Sequence, residues 1–291
     1  MSEVLAMVTE TGYICGKHAI MAVLSQEPRR VFKIYTAEGL RPDTAIKDIV
    51  RLAREAGIPI TVVPRSKLDS LMVQAMEGQD AHQGIVASVA PKALLTVADF
   101  LAELQTSAGF PHPCLVVALD EVTDPRNMGA IVRSLEAAGA LGVILPKHRG
   151  GGLGPAFAKA AAGADQTLPL MVATNMAQAI AQFKEAGFWV VGSTCQTSAP
   201  AYYQQDYQMP TLLVLGSEDK GMRPVVNKQC DFWVHIPQYG QVASLNVSVA
   251  AGILAFEIAR QQHQAPVKAA QYDSFLGFQE TIPTLEESIE D

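Results

Sequence analysis

From Cys114 onward the chain alternates short, continuously apolar runs with helical patterns, and this rhythm constrains its fold more than any other feature. Residues 115–119 read Leu-Val-Val-Ala-Leu and residues 212–215 read Leu-Leu-Val-Leu, without a polar side chain in either. A strand with one wet face alternates polar and apolar residues. A strand without alternation is buried on both faces, which calls for a parallel sheet covered by helices on each side. Strands are expected at 115–119, 142–145, 168–172, 188–192, 212–215 and 232–236. Helices are expected at about 127–139, 156–162, 176–186 and from Ser244 to about Gln261. Such sheets hold their ligands beyond the carboxyl ends of the strands.

Residues 1–90 form a smaller α/β unit by the same reading. A helix follows Gly16, a strand covers 31–35, and a helix over 44–56 stops at Gly57, the residue type that most often follows a helix end. A strand at 60–63, a helix at 67–76 and a strand at 84–87 complete it. Residues 91–113 connect the units, with a helical stretch at 97–105, and end in Pro111-His112-Pro113, a helix-breaking stop. The expected division is therefore 1–90, a linker at 91–113, 114–263, and a flexible tail at 264–291.

Composition bears on partners and compartment. No apolar run approaches the roughly 18 to 20 residues of a membrane-spanning helix, so no membrane partner is expected. Glu3 and Glu10 without a basic leader do not read as a signal peptide. The four cysteines, Cys15, Cys114, Cys195 and Cys230, are far apart and lack metal-ligand spacing, which fits a cytoplasmic protein with no structural metal. Net charge is −7. Much of it sits in the tail, where Asp273, Glu280, Glu286, Glu287, Glu290 and Asp291 face only Lys268, leaving the rest close to neutral. Electrostatics alone therefore does not announce a nucleic-acid partner, and DNA is not expected.

Two glycine clusters fall short of nucleotide-binding fingerprints. Gly12 to Lys17 is one residue short of a phosphate loop and is followed by His18 instead of Ser or Thr. Gly150-Gly151-Gly152-Leu153-Gly154 puts Pro155 where a dinucleotide fingerprint needs glycine. Both read as flexible turns. The scattered histidines give no hydrolytic triad.

Three polar segments at strand ends remain. Asp124-Pro125-Arg126-Asn127-Met128-Gly129-Ala130-Ile131-Val132-Arg133 places Met128, Ile131, Val132, Leu135 and Ala138 on one apolar stripe and Arg133 opposite it, where an ion pair with Glu136 would be its ordinary use. Gly216-Ser217-Glu218-Asp219-Lys220-Gly221-Met222 permits a sharp turn and close backbone approach to a ligand. Ile236-Pro237-Gln238-Tyr239-Gly240-Gln241-Val242-Ala243-Ser244-Leu245-Asn246-Val247-Ser248 offers Ser244 as a helix N-cap, and puts Asn246, a mediocre helix former, inside the first turn. Gly252 in mid-helix implies close packing against another backbone.

Taken together and in this order, the three segments resemble the signature motifs of the SpoU (TrmH-like) RNA 2′-O-ribose methyltransferases, over essentially residues 114–262. The N-terminal unit, with Gly16-Lys17-His18-Ala19 and His82-Gln83-Gly84-Ile85 at its two ends, is similar to the small ribosomal-protein-like RNA-binding domain of that family. Within the family the pairing most resembles members that 2′-O-methylate a guanosine of bacterial large-subunit ribosomal RNA.

The resemblance implies a SPOUT methyltransferase domain, an α/β parallel sheet whose C-terminal part is tied into a trefoil knot, against the general rule that connections do not thread. It also implies a homodimer through the knotted region and S-adenosyl-L-methionine as cofactor. Carried onto this chain, Gly216, Ile236 and Leu245 would hold the cofactor, while Asn127, Arg133, Glu218, Ser244 and Asn246 would surround the acceptor ribose and its phosphate. A sulfonium methyl group is already electrophilic, so such an enzyme must align a 2′-hydroxyl with it and help remove the proton. Guanidinium scarcely deprotonates in proteins, so Arg133 is read as a clamp on phosphate and developing alkoxide. The expected substrate is ribosomal RNA, with Arg29, Arg30 and Lys33 as a surface to hold it. The competing readings are a transfer RNA ribose methyltransferase and a non-catalytic RNA-binding or ribosome-assembly factor.

Overall fold

All five side chains of Leu115–Leu119 are buried, because this strand lies inside a six-stranded sheet with helices on both faces. The computed structural model describes residues 12–73, 82–104, 110, 112–147, 153–242 and 244–264. The first sheet is built with β1 (Gly12–Cys15), α1 (Lys17–Gln26), β2 (Val31–Ala37), α2 (Thr44–Glu55), β3 (Ile60–Val63), α3 (Arg65–Val73) and β4 (Ile85–Val89). Then come α4 (Val97–Leu104), β5 (Leu115–Leu119), α5 (Pro125–Ala137), β6 (Gly142–Pro146), α6 (Pro155–Ala161), α7 (Ala164–Thr167), β7 (Leu170–Ala173), α8 (Met176–Glu185) and β8 (Trp189–Thr194). The chain continues through β9 (Thr211–Leu215), α9 (Pro224–Asn227), β10 (Phe232–His235) and α10 (Val247–Gln264).

The larger sheet has the order β10-β8-β9-β5-β6-β7, and every pairing is parallel. Alternate residues of β5 feed two separate cores. Leu115, Val117 and Leu119 pack with Ile131, Leu135, Leu254 and Ile258 of α5 and α10. Val116 and Ala118 pack with Phe100, Ile180 and Phe183 of α4 and α8. Burying a side chain of this size contributes about 1.5 to 3 kcal/mol, so the absence of polar residues in the strand is explained by its two cores. The chain order reverses between β5 and β9, and this is the place where a ligand crevice is expected.

Several sequence expectations need correction. Residues 12–15, read as a turn, form β1, which pairs antiparallel with β4 in the four-stranded sheet β1-β4-β2-β3. Residues 91–113 are more than a connector. Leu95 N–H donates to Leu170 O at 3.0 Å, and Phe100 and Leu104 of α4 are buried in the second core. Gly252 does not meet a backbone: a Cβ there would lie 3.8 Å from Ser134 Oγ, an ordinary contact. The tight approach is at Gly129 of α5, where a Cβ would fall 2.4 Å from Phe157 O of α6. The tail at 265–291, the glycines 150–152 and Ala243 lie outside the described residues.

The two sheets meet at a close seam. Gly163 (φ +98°) presses on α1, where a Cβ would sit 2.9 Å from Ala19 Cα. Arg30, expected on an RNA-holding surface, donates to Ala90 O at 3.0 Å and to Gln166 Oε1 at 3.1 Å across the seam. Lys92 Nζ donates to Leu168 O at 2.9 Å, and burial pulls its pKa down to about 8. At the far end, Gln262 of α10 is fully buried. It accepts from Cys114 N at 2.9 Å and donates to Tyr207 O at 2.9 Å and Met209 O at 3.1 Å.

Candidate active site

The loops that follow β5, β9 and β10 all leave the sheet at its carboxyl edge, and their polar residues converge there. Asp124 caps α5 by accepting Arg126 N–H at 2.9 Å, with Pro125 in the first turn where its missing N–H costs nothing. This fixes Asn127 in the opening turn of α5, facing the β9 loop. In that loop Ser217 and Gly221 exchange backbone hydrogen bonds (3.1 and 2.9 Å), and Gly221 takes φ +66°. Gly216 has no room for a side chain, since a Cβ would lie 2.3 Å from Gly221 C.

Glu218 stands on this closed loop, and one oxygen does most of its bonding. Oε1 accepts from Asn246 Nδ2 at 2.8 Å, Val247 N at 2.9 Å and Asn127 Nδ2 at 3.3 Å. Asn246 Nδ2 also donates to Asn127 Oδ1 at 3.1 Å, which closes a three-residue network across segments distant in sequence. Among the described residues Oε2 takes no hydrogen bond, and Glu218 is exposed.

The start of α10 differs from expectation. The helix begins at Val247, three residues after Ser244, so Asn246 is its N-cap. Asn246 Oδ1 accepts Ser248 N–H at 2.9 Å and Ser248 Oγ–H at 2.5 Å, leaving Val247 N–H to Glu218. Asn246 is thus both the cap and a member of the network. Ser244 does not cap; it lines the cleft with Leu245.

That cleft, about 510 Å³, opens beside the network and is walled by Thr194, Leu215, Gly216, Glu218, Met222, Ile236, Ser244, Leu245 and Val247. Gly216, Ile236 and Leu245 are therefore together on its lining. Its mixture of apolar side chains and loop backbone, with two acids (Glu218 and Asp219) against one base (Lys220), suits a group with an apolar body and a cationic centre. A larger groove of about 540 Å³ lies against β10, but it contains none of the network residues.

Arg133 is placed apart. It is exposed on α5, outside the cleft wall, and among the described residues it forms neither hydrogen bond nor ion pair; the Glu136 pairing does not form. Glu136 instead accepts Thr167 Oγ1 at 3.4 Å. The N-terminal motifs do meet: Lys17 N–H donates to Gln83 Oε1 at 3.3 Å and Gly16 N–H to Ile85 O at 3.4 Å.

Sequence reasoning missed Asp120 and Arg223. Asp120 is fully buried at the end of β5 and takes three hydrogen bonds from Arg223. Those bonds push the guanidinium pKa further up. The available signal was a lone acid directly after five apolar residues, which cannot be buried without a partner. Among the described residues no group of His, Cys, Asp or Glu could hold a metal ion. Nor is any described helix long and apolar enough to cross a membrane.

Comparison with known proteins agrees with this geometry. Residues 114–256 match the model of the SpoU rRNA Methylase family, and residues 13–95 match the model described as RNA 2′-O ribose methyltransferase substrate binding. The chain is 41% identical over 249 residues to 23S rRNA (guanosine-2′-O-)-methyltransferase RlmB of Pseudomonas syringae, covering 86% of this chain and 95% of that one. It is 37% identical to the RlmB of Ralstonia nicotianae, covering 90% and 100%. Among solved structures it resembles the SpoU methyltransferase AviRb from Streptomyces viridochromogenes in complex with AdoMet, with a TM-score of 0.68, 24% identity and coverage of 87% and 91%. An AdoMet-bound rRNA methyltransferase from Sinorhizobium meliloti gives a TM-score of 0.67 at 24% identity, covering 86% and 87%.

Proposed function

The chain belongs to the SpoU rRNA methylase family, and from that premise we propose that it 2′-O-methylates a guanosine ribose of large-subunit ribosomal RNA, using S-adenosylmethionine. The observation that carries this reading is the Asn127–Glu218–Asn246 network at the rim of the cleft. It sets a carboxylate, two amides and a helix N-terminus beside a pocket of nucleoside size.

Bound in the cleft, S-adenosylmethionine supplies an electrophilic methyl group. The residues of the chain do the rest. The backbone around Gly216, Ile236 and Leu245 holds the nucleoside portion, and the closed 217–221 loop keeps its wall fixed. Asn127 and Asn246 hold Glu218 through Oε1, which leaves Oε2 free to accept the hydrogen bond of the acceptor hydroxyl and to take its proton as the methyl group is transferred. Ser244, on the same wall, contacts the ribose. Arg133, with no partner of its own, clamps the neighbouring phosphate through its planar fork and stabilises the developing alkoxide.

Finer features belong to the same reading. The sheet order and the burial of Gln262 beneath the 205–209 segment suit a trefoil-knotted path. Val249 and Phe256, seven residues apart on α10, are 51% and 52% exposed, and they offer an apolar stripe to a second copy in a homodimer. The N-terminal unit, whose residues 13–95 match the substrate-binding model, holds the RNA, which favours a ribosomal over a transfer RNA substrate, and the cytoplasm is the compartment that goes with this reading.

The test is transfer of labelled methyl to purified large-subunit ribosomal RNA and to bulk transfer RNA, with Arg133→Ala as control. Ribose methylation of ribosomal RNA only, lost in the variant, is the expected result. Label on transfer RNA would overturn the substrate assignment.

A further inference from the structure

Asp120 holds both ends of the loop that carries Glu218. Its N–H donates to Leu215 O at 2.8 Å, where the loop leaves β9. Its carboxylate receives the loop's return: Oδ2 accepts Arg223 N–H at 2.8 Å, and Oδ1 accepts Arg223 Nε at 2.9 Å and Nη2 at 2.5 Å. The next residue, Glu121, sits at φ +61°, a left-handed conformation that residues with a side chain rarely adopt. With that turn its Oε1 lies 3.3 Å from Arg223 Nε, so two acids flank one guanidinium.

A stabilising role alone is a poor account of this arrangement. Burying an ion pair gains little over an apolar pair of the same volume, because desolvation of both charges offsets their attraction. What three directed hydrogen bonds add is a fixed position. The loop is already rigid within itself, through Gly216 and the Ser217–Gly221 bonds. It is fastened to the first segment twice, at Asp120–Arg223 on one side and at Asn127–Glu218 on the other. The short run from Asp120 to Asn127 therefore sets where the Glu218 loop stands against α5.

We infer that Asp120 and Arg223 are positioning residues for methyl transfer. Through the 216–222 loop they set the wall of the cofactor cleft and the placement of Glu218. The inference rests on the reading of that cleft as the S-adenosylmethionine site. Arg223 is neither a member of the network nor a residue of the cleft lining, so it acts through the loop it anchors.

The experiment uses the full chain with Arg223→Ala, Arg223→Lys and Asp120→Asn. Arg223 is 42% exposed but Asp120 is fully buried, so Arg223→Ala strips a buried carboxylate of its guanidinium, and Arg223→Lys is the variant that keeps a cation beside it should Arg223→Ala or Asp120→Asn not fold. Arg223→Ala is expected to weaken S-adenosylmethionine binding and to lower kcat, each by about tenfold at a temperature where the variant is folded, and to lower Tm as well, because the buried Asp120 carboxylate loses its guanidinium. Arg223→Lys keeps the charge and recovers part of the loss. In combination with Glu218→Gln the further kcat loss from Arg223→Ala shrinks below about twofold, because both changes act on one group. Full additivity with Glu218→Gln, or parental cofactor affinity in Arg223→Ala, overturns the inference. Hydrogen exchange of the 216–222 amides separates it from the functional reading. If the parent binds no S-adenosylmethionine, that reading fails, and the clamp is still judged: exchange quickened in this loop alone supports it, and unchanged exchange overturns it.

Discussion

Glu218 Oε1 accepts the Asn246 side-chain amide at 2.8 Å and the Val247 N–H at 2.9 Å, so it holds both the N-cap residue of α10 and the first N–H of the helix. The carboxylate divides its oxygens: Oε1 holds the start of the helix, and Oε2 is the one the proposed mechanism uses. Glu218→Gln keeps an acceptor but removes the negative charge at the helix N-terminus, an effect of about 0.5 to 1 kcal/mol. Methyl transfer should fall at least tenfold while urea denaturation shows a loss near 1 kcal/mol; full activity would remove Glu218 from the mechanism.

Asn246→Asp should retain the Ser248 cap and replace the Glu218 hydrogen bond with two carboxylates in contact. Like charges so close cannot both ionise cheaply, so one group of the pair titrates well above the ordinary carboxylate range. A raised folded-state pKa on an acid means stability present at low pH and lost as pH rises through it. The variant should therefore be less stable at pH 8 than at pH 5 relative to the parent, measured by Tm across that range.

Arg133 has no partner among the described residues, so Arg133→Ala should leave Tm within about 1 °C and lower kcat on the order of a hundredfold. Arg133→Lys keeps the charge without the planar fork and should remain well below the parent. Near-parental turnover with lysine would dismiss the clamp.

Lys92 is held by burial to a pKa of about 8 in the seam between the sheets. Between there and its unfolded value near 10.4, the unfolded chain binds the proton and the folded chain does not, so this group makes stability rise with pH across that window. Lys92→Met should be more stable than the parent at pH 7 and lose that rise, as chemical denaturation at pH 7 and 9.5 would show.

Two helical glycines should behave oppositely. Gly129→Ala drives a methyl group to 2.4 Å from Phe157 O and should cost about 1 to 3 kcal/mol as α5 and α6 separate. Gly252→Ala meets only Ser134 at 3.8 Å and should be neutral or stabilising by up to about 1 kcal/mol. Equal melting temperatures for the two variants would contradict the packing described.

The parallel sheet was legible because burial on both faces removes polar residues from strands, as at Leu115 to Leu119. The network residues Asn127, Glu218 and Asn246 were legible only through the family's motifs, since each alone has an ordinary use on a helix or loop. What periodicity could not reach was contact. Asp120 reads as the end of a strand until Arg223, 103 residues later, is seen to bond it. The strand β1 was lost because three half-buried residues between Gly12 and Gly16 look like a turn until β4 pairs with them. Gly252 and Gly129 exchanged roles for a similar reason: helix propensity shows the cost of a glycine but not which neighbour leaves it no room.

Gln262 takes up the N–H of Cys114, the residue just before β5, from the last turns of α10. The beginning and end of the sheet domain are thus joined by a single buried amide. During synthesis, a chain released only as far as β10 has every strand but lacks the helix whose first turn fixes Glu218 and whose final turns fasten Cys114. An enzyme that modifies the RNA of ribosomes is therefore incompetent for as long as its last helix is inside the one making it.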